Sequence, residues 1–453
     1  MTYPMPWLTD LDGRLPKYKA VCKIISSAIA SGHLCKGDKL PPRRTLARKL
    51  SVTLDTVARA FRELARQGLA VGRVGDGTYV GGSDGVAGQG LRVDLSQNHP
   101  GILYEDSLLA GTLRQLARNP GQLRALLDYQ EDTGHRPHQL AMARWLEARG
   151  LPAVAPAHLT MTLGGQHSLY LALRALLRQG DSLMAEKYSY PQIVTMAREM
   201  RFQTLPVPMD GEGLLPDDLG KIQATTDSRV LYCQPTCHNP TTSTLGQERR
   251  RAVADLARRR NLLVIENITQ AMYVERQPQT IFELAPENTV LIGSFSKLSS
   301  PGLRVGFIAS RNSVLARISA WLRLNCWMPC LLSAEVVSRW IETGAMERLL
   351  AAKNLDLAER HELAGKHLRG YSFQSDRNSN YLWLSLPGAW EAQALTGALF
   401  REHLVIRGAE AFTIGRTPVP RAIRLSLGTS ATLADLDRAL GALTKVLESG
   451  PPR

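Results

Sequence analysis

The sequence predicts an α/β protein in two parts: a small helical head that ends in a two-stranded wing, and a large body built on a mainly parallel sheet. Three observations predict it. Apolar residues recur at helical spacing over residues 17–64 and then alternate around a glycine-rich tip. From about residue 180 onward, short apolar runs alternate with amphipathic stretches, the pattern of neighbouring strands covered on both faces by helices. Charge is also uneven: residues 1–80 hold 14 Lys and Arg against 6 Asp and Glu, a net +8 of the chain's +14. That asymmetry suits a polyanion partner for the head, although on charge alone it could equally be a solvated surface.

The head is read element by element. Val21, Ile24, Ile25, Ala28 and Ile29 mark a first helix over 17–31, with Gly32 as its stop. A short second helix starts near Pro42 and turns Leu46 and Leu50 inward. After a turn at Ser51-Val52, Thr53 caps a third helix, with Asp55 in its first turn and Val57, Phe61 and Leu64 on one face. Strands at Ala70-Val71 and Thr78–Val80 flank a Gly75-Asp76-Gly77 tip. Three helices and a wing make a winged helix-turn-helix over residues 1–80. Its third helix is the one to enter the major groove. Thr53, Asp55 and Thr56 stand near base edges, Arg43, Arg44, Lys49 and Arg59 are placed for phosphates or guanines, and Arg73 and Gly75 belong to the wing.

Residues 81–95 read as a linker, glycine- and serine-rich from Gly81 to Gly90. In the body, residues 96–453, strand candidates stand at Ser182–Ala185, Val230–Cys233, Leu262–Ile265 and Val290–Ile292, with an amphipathic helix from Gln247 to Arg259. Sites in such sheets lie at the carboxyl ends of the strands. From about residue 345 the pattern becomes a smaller α+β lobe. No run of eighteen apolar residues appears, and no basic start leads into an apolar block, so neither a transmembrane helix nor a signal peptide is expected and a cytoplasmic location is. Of the six cysteines, Cys233/Cys237 and Cys326/Cys330 are spaced four apart, wider than the common zinc spacing and in apolar surroundings. Buried reduced thiols are expected there, and no metal site.

The most informative stretch is Gly293-Ser-Phe-Ser-Lys-Leu-Ser-Ser-Pro-Gly-Leu-Arg-Val-Gly306. One lysine, Lys297, lies among hydroxyls with Arg304 a loop away. An aldehyde cofactor that carries a phosphate needs such a set, an amine for a Schiff base and hydroxyls with a guanidinium for the phosphate. Thr162-Leu-Gly-Gly-Gln-His opens a helix, so the amides of Gly165 and Gln166 sit at a positive terminus. Tyr188-Ser-Tyr-Pro, Gln234-Pro-Thr-Cys-His-Asn-Pro-Thr and Ile423-Arg-Leu-Ser complete the series.

Leu40-Pro-Pro-Arg-Arg-Thr-Leu-Ala-Arg-Lys-Leu, the helix that follows it and the glycine-rich wing resemble the GntR family of winged-helix regulators over about residues 15–80. Leu54 and Ala58 stand where many members of that family carry arginine, so a different operator is implied. The body resembles the fold-type I, aspartate-aminotransferase-like pyridoxal-phosphate proteins over roughly residues 95–450. The two together are similar to the MocR subgroup of transcription regulators. The resemblance implies that pyridoxal 5'-phosphate binds as a Schiff base on Lys297. It places Tyr190 on the pyridine ring, Asn239 on the ring hydroxyl, and Ser294, Ser296 and Arg304 on the phosphate. Arg424 becomes the clamp for an effector carboxylate. The partners implied are a double-stranded DNA operator, a small amino compound or the cofactor itself, and a second copy of the chain as a homodimer.

One departure bears on chemistry. Where the family has an aspartate on the pyridine nitrogen, Val264-Ile-Glu-Asn-Ile-Thr-Gln places Asn267, and the tyrosine that should follow is Thr269 or Gln270. An amide carries no charge to hold the ring protonated, and the protonated ring is the electron sink. Little or no transaminase turnover is therefore expected, so the chain reads as a regulator; an active aminotransferase with a DNA-binding appendage is the alternative. A shift of one residue would make Glu266 the partner instead, but strand alternation turns Glu266 to the opposite face.

Overall fold

A computed structural model describes residues 7–8, 15–30, 34, 38–66, 69–73, 77–80, 93–275, 278–311, 313–430 and 432–451. The chain divides into two compact units, residues 1–91 and 92–453.

In the first unit, helices Lys17–Ala30, Arg43–Lys49 and Leu54–Arg66 bury Val21, Ile25, Leu46, Val57, Phe61 and Leu64 against one another. The expected cap is present: Thr56 N donates to Thr53 Oγ1 at 3.2 Å. The wing strands Ala70–Arg73 and Gly77–Val80 pair antiparallel, Ala70 opposite Val80. The chain before the second helix adds a third edge to this wing, with Leu40 N donating to Thr78 O and Val80 N to Asp38 O, both at 2.8 Å. Sequence periodicity did not signal that edge, because a three-residue pairing is too short to show alternation. Gly75, assigned to the wing tip, lies outside the described residues, as do residues 81–92 of the linker.

The second unit holds a seven-stranded sheet in the order Leu159–Thr162, Gly306–Ala309, Thr289–Ser294, Leu263–Asn267, Val230–Cys233, Ser182–Glu186, Gln203–Val207. All pairs are parallel except the two made by Gly306–Ala309, which runs antiparallel to both neighbours. The strand foreseen at Leu262–Ile265 begins one residue later and runs on to Asn267. The near-continuous apolar runs are explained by cover on both faces. On one, Leu169, Leu173, Ile318 and Leu322 pack with Ile265 and Ile292; on the other, Val253 and Ala257 of helix Gln247–Arg260 pack with Val264 and Leu231.

The smaller lobe is a four-stranded antiparallel sheet, Phe373–Ser375, Tyr381–Ser385, Ala422–Ser426 and Arg407–Gly408, with helices Ala345–His367, Ala392–Arg401 and Leu433–Glu448. The linker expected through residue 95 ends sooner. Val93–Asp94 is a strand parallel to Leu404–Val405, and Leu95 is buried in the core of this lobe. Valine at 93 and leucine at 95 are what a parallel edge strand over an apolar floor requires, and they end the glycine-rich composition. The cysteine expectation also needs correction: Cys233 and Cys237 are buried free thiols, but Cys326 is half-buried and Cys330 exposed. Among the described residues, no three His, Cys, Asp or Glu side chains gather as a metal site, and no helix is long and apolar enough to cross a membrane.

Candidate functional site

The carboxyl ends of the central strands open on one cavity of about 320 Å³. Strand Leu159–Thr162 passes through Leu163-Gly164 into helix Gly165–Leu176, so the free amides of its first turn face the cavity. Gly164 has φ 90°, and a Cβ there would lie 2.7 Å from Arg304 Nη2, so only glycine lets the guanidinium cross this turn. Arg304 itself stands in the left-handed region at φ 53°. Its Nη2 donates to Leu163 O at 3.0 Å and its Nη1 to Ser296 Oγ at 3.4 Å. Ser296 N donates to Ser294 Oγ at 3.2 Å, which bends the chain after the strand and aims both hydroxyls inward. Two amides, two hydroxyls and a guanidinium thus converge where a dianionic phosphate is best held.

Lys297 follows this bend and is half-buried. Burial, with Arg424, Arg304 and Lys353 nearby, lowers its pKa to about 7. Its Nζ donates to Asn98 O, and the hydroxyl of Tyr273 donates to Lys297 O. Arg424, on strand Ala422–Ser426 of the small lobe, donates from Nη1 to Asn239 Oδ1 at 2.8 Å and from Nη2 to Ser96 O at 2.6 Å. Its guanidinium lies 4.8 Å from the Phe412 ring, and its Nε has no partner. Burial holds its pKa down, to about 10. Lys353, also buried, donates to Gly101 O at 3.0 Å and pairs with Glu105 at 2.6 Å. Three cations therefore bond to carbonyls of the single segment 96–101, which follows the first strand of this unit.

Asn267 ends strand Leu263–Asn267 at the cavity wall. Its Oδ1 accepts from Thr269 N at 3.0 Å and its Nδ2 donates to Tyr232 Oη at 2.9 Å. The one-residue alternative fails on geometry. Glu266 is on the opposite face, where it accepts from Ile281 N at 3.0 Å and Phe282 N at 2.8 Å with Arg250 4.0 Å away. Thr269 and Gln270, the positions left without the tyrosine, both line the cavity, and Gln270 Oε1 is buried without a partner. Burial raises the pKa of Tyr190, with Arg304, Arg424 and Arg407 opposing the shift.

Lys297, Asn239, Tyr190, Asn267, Gly165, Gln166, Ser294, Ser296, Arg304 and Arg424 all line this cavity. The wall also includes Gln97, Asn98 and Arg407, which sequence reasoning did not single out. No local pattern marked them: two belong to a segment more than 190 residues from Lys297, and Arg407 is an isolated arginine at a strand start. The buried pair of Glu186 and His238, 3.6 Å apart, was missed as well; Glu186 Oε1 accepts from Gln234 N at 2.8 Å and so positions the loop that carries Asn239.

In the head, Arg43, Arg44, Lys49, Thr53, Asp55 and Arg59 are exposed and Thr56 is half-buried. Thr53 Oγ1 and Thr56 Oγ1 lie 2.8 Å apart, and the Arg59 guanidinium lies 4.1 Å from the Tyr18 ring. Those two contacts hold the start of the third helix and its middle arginine in place. Arg73 ends the first wing strand.

Residues 93–443 match the family described as aminotransferase class I and II, and residues 17–80 match bacterial regulatory proteins of the gntR family. The chain is 29% identical to the uncharacterized HTH-type transcriptional regulator YdeF of Bacillus subtilis, with 98% of each chain covered. It is also 29% identical to the vitamin B6 salvage pathway transcriptional repressor PtsJ of Salmonella typhimurium, covering 92% of this chain and 96% of that one. Among solved structures, an archaeal alanine:glyoxylate aminotransferase superposes with a TM-score of 0.72 at 18% identity, over 87% of this chain and 95% of the other.

Proposed function

The chain belongs to the aminotransferase class I and II family, and from that premise we propose that its body is the sensor of a DNA-binding transcription regulator, with little or no transaminase turnover. The gntR-type head supplies the DNA reader. The two full-length relatives named above are both transcriptional regulators, and one of them represses a vitamin B6 pathway.

Pyridoxal phosphate fits the residues present. The turn at Gly164 has no room for a side chain, so Arg304, the first amides of the helix and two serines form a phosphate cradle. Asn98 Oδ1, Gln270 Oε1 and Arg424 Nε are buried without partners around the same space, and such atoms call for a polar occupant. Among the described residues Lys297 is the one lysine on the cavity wall, and an amine with a pKa of about 7 is about half uncharged at neutral pH, the uncharged form being the one that attacks an aldehyde. Bound there as a Schiff base, the cofactor would supply a ring that draws electrons from the carbon beside the amine.

Asn267 weakens that withdrawal. Its oxygen is held by Thr269 N, and its nitrogen keeps one N–H beyond the bond to Tyr232. An N–H offered to the ring nitrogen favours the unprotonated ring, whereas a carboxylate would hold a proton there. Tyr190 would stack on the ring, Asn239 would bond its hydroxyl through the amide nitrogen, and Arg424 would take an effector carboxylate. We assign the protein to the cytoplasm and expect a homodimer.

The observation that carries the sensing half is the pinning of segment 96–101. Lys297 and Arg424 donate to Asn98 O and Ser96 O. Both donors are required elsewhere once the lysine holds cofactor and the arginine holds a carboxylate. Filling the cavity therefore releases two bonds on a segment that continues through residues 81–92 into the head. A ligand that binds the released arrangement better shifts the population toward it.

The test uses the full-length protein and a duplex it selects from random DNA. Borohydride reduction after addition of pyridoxal phosphate should add the cofactor's mass to the peptide containing Lys297. Operator affinity should change at least threefold with cofactor plus an amino compound. No adduct overturns the cofactor assignment. An adduct with unchanged operator affinity overturns the sensing, and sustained keto-acid production would establish the transaminase instead.

A further inference from the structure

The cavity wall carries four cations, Lys297, Arg304, Arg407 and Arg424, and no Asp or Glu. In the reading above, three of them have assigned tasks: Lys297 the cofactor, Arg304 its phosphate, Arg424 one carboxylate. Arg407 has none. Among the described residues, its guanidinium makes no hydrogen bond and no ion pair.

Its placement is specific. Arg407 is the residue directly opposite Arg424 in the antiparallel pairing of Arg407–Gly408 with Ala422–Ser426. Directly opposed residues of such a pair project from the same side of the sheet, and here both side chains reach the same cavity. Two adjacent guanidiniums without an acid between them repel, and an anion that bridges or flanks them relieves that repulsion. Arg424 is anchored by Asn239, Ser96 O and the Phe412 ring. Arg407, half-buried and unanchored, is free to follow a ligand.

We infer that Arg407 reads a second anionic group, so that the effector of this cavity is a dicarboxylic amino acid. The amine would meet the cofactor on Lys297, one carboxylate Arg424 and the other Arg407. A guanidinium fork matches a carboxylate in two parallel bonds. A phosphate is the weaker candidate for this second group, because the phosphate cradle with its helix amides lies at Arg304. The inference rests on the body sensing an amino compound at Lys297.

The test is a set of titrations on the full-length, cofactor-loaded protein, followed by absorbance and calorimetry and reported per loaded site. The probes are L-aspartate and L-glutamate against L-asparagine and L-glutamine. At least one acid should bind ten-fold or more tighter than its amide, a difference of about 1.4 kcal/mol. In Arg407→Gln that preference should fall below about threefold while the amide's affinity is unchanged. Acids and amides binding alike in the unaltered protein would overturn the inference, and so would an equal loss for acid and amide in Arg407→Gln, the mark of a merely structural residue. A second arm uses cofactor-free protein: glutarate should raise the melting temperature more than butyrate does, and Arg407→Gln should erase the difference. If no adduct forms at Lys297 but glutarate still protects through Arg407, the cofactor reading falls and this one stands. If loading succeeds and the glutarate effect is absent, this one falls alone.

Discussion

In the proposed function, Asn267 and Lys297 set the chemistry of the cavity side chain by side chain. Asn267 is locked by Thr269 N and Tyr232 Oη, so a carboxylate of the same shape can replace it without moving the strand. Asn267→Asp should raise transamination at least tenfold, because each unit of ring-nitrogen pKa is worth about 1.4 kcal/mol of preference for the protonated ring. Keto-acid formation measures it, and a rate equal to or below that of the unaltered protein contradicts the assignment. Lys297 releases its proton near pH 7 when folded, against 10.5 for an ordinary lysine. Capture of pyridoxal phosphate by cofactor-free protein should therefore quicken as pH rises through about 7 and then level off. Loading that keeps climbing toward pH 10 would show an unperturbed amine. The same shift makes the cofactor-free fold gain stability as pH rises from about 7 to 10.5, since only the unfolded chain stays protonated there; that gain is lost as pH falls back through the window.

Elements decide how those side chains are aimed. The turn at Gly164, the bend at Ser294–Ser296 and the left-handed Arg304 form one unit because each removes a clash or supplies a bond for the next. In the head, the third helix depends on Thr53, whose loss as a cap costs about 1 kcal/mol. Arg44 is exposed on the helix before it. Arg44→Ala should weaken DNA binding at every sequence and lower the salt slope of log affinity by about one if the contact is to phosphate. A loss confined to one operator position, with the slope intact, would make it a base reader. Leu54 is 47% exposed at the start of the third helix, and an apolar side chain there suits a thymine methyl better than a guanine edge.

At the scale of the molecule, the second unit leaves large apolar side chains open around the Tyr129–Trp327 contact. Leu127, Tyr129, Leu324 and Trp327 are all more than half exposed, and the Tyr129 and Trp327 rings meet edge to face at 6.0 Å. Monomeric proteins seldom leave such a cluster to water, and the proposed second copy of the chain is the occupant that a dimeric regulator with paired half-sites requires. Tyr129→Asp combined with Trp327→Asp should halve the mass seen by light scattering while leaving circular dichroism unchanged. A monomeric mass for the unaltered protein would remove the dimer from the account.

Much of this was legible in the residues alone, and for a local reason. Helix periods, the Thr53 cap, the Lys297 motif and the parity that turns Glu266 away from Asn267 are all properties of short stretches, where one side chain implies the position of the next. The smaller features escaped for the opposite reason. The edge at Asp38–Leu40, the strand Val93–Asp94 and the exposure of Cys330 depend on neighbours far along the chain. Ser96 O, Asn98 O and Gly101 O are backbone atoms, which every residue has, so no composition could mark them as the acceptors of three cations. Arg407 was one arginine among many until strand pairing set it opposite Arg424. The sequence by itself determined the two folds and marked the proposed cofactor lysine and the asparagine proposed in place of a carboxylate. Only the tertiary structure decided which carbonyls hold the cations and which arginine of the cavity lacks a partner among the described residues, because those facts are distances between segments and are not written in any one of them.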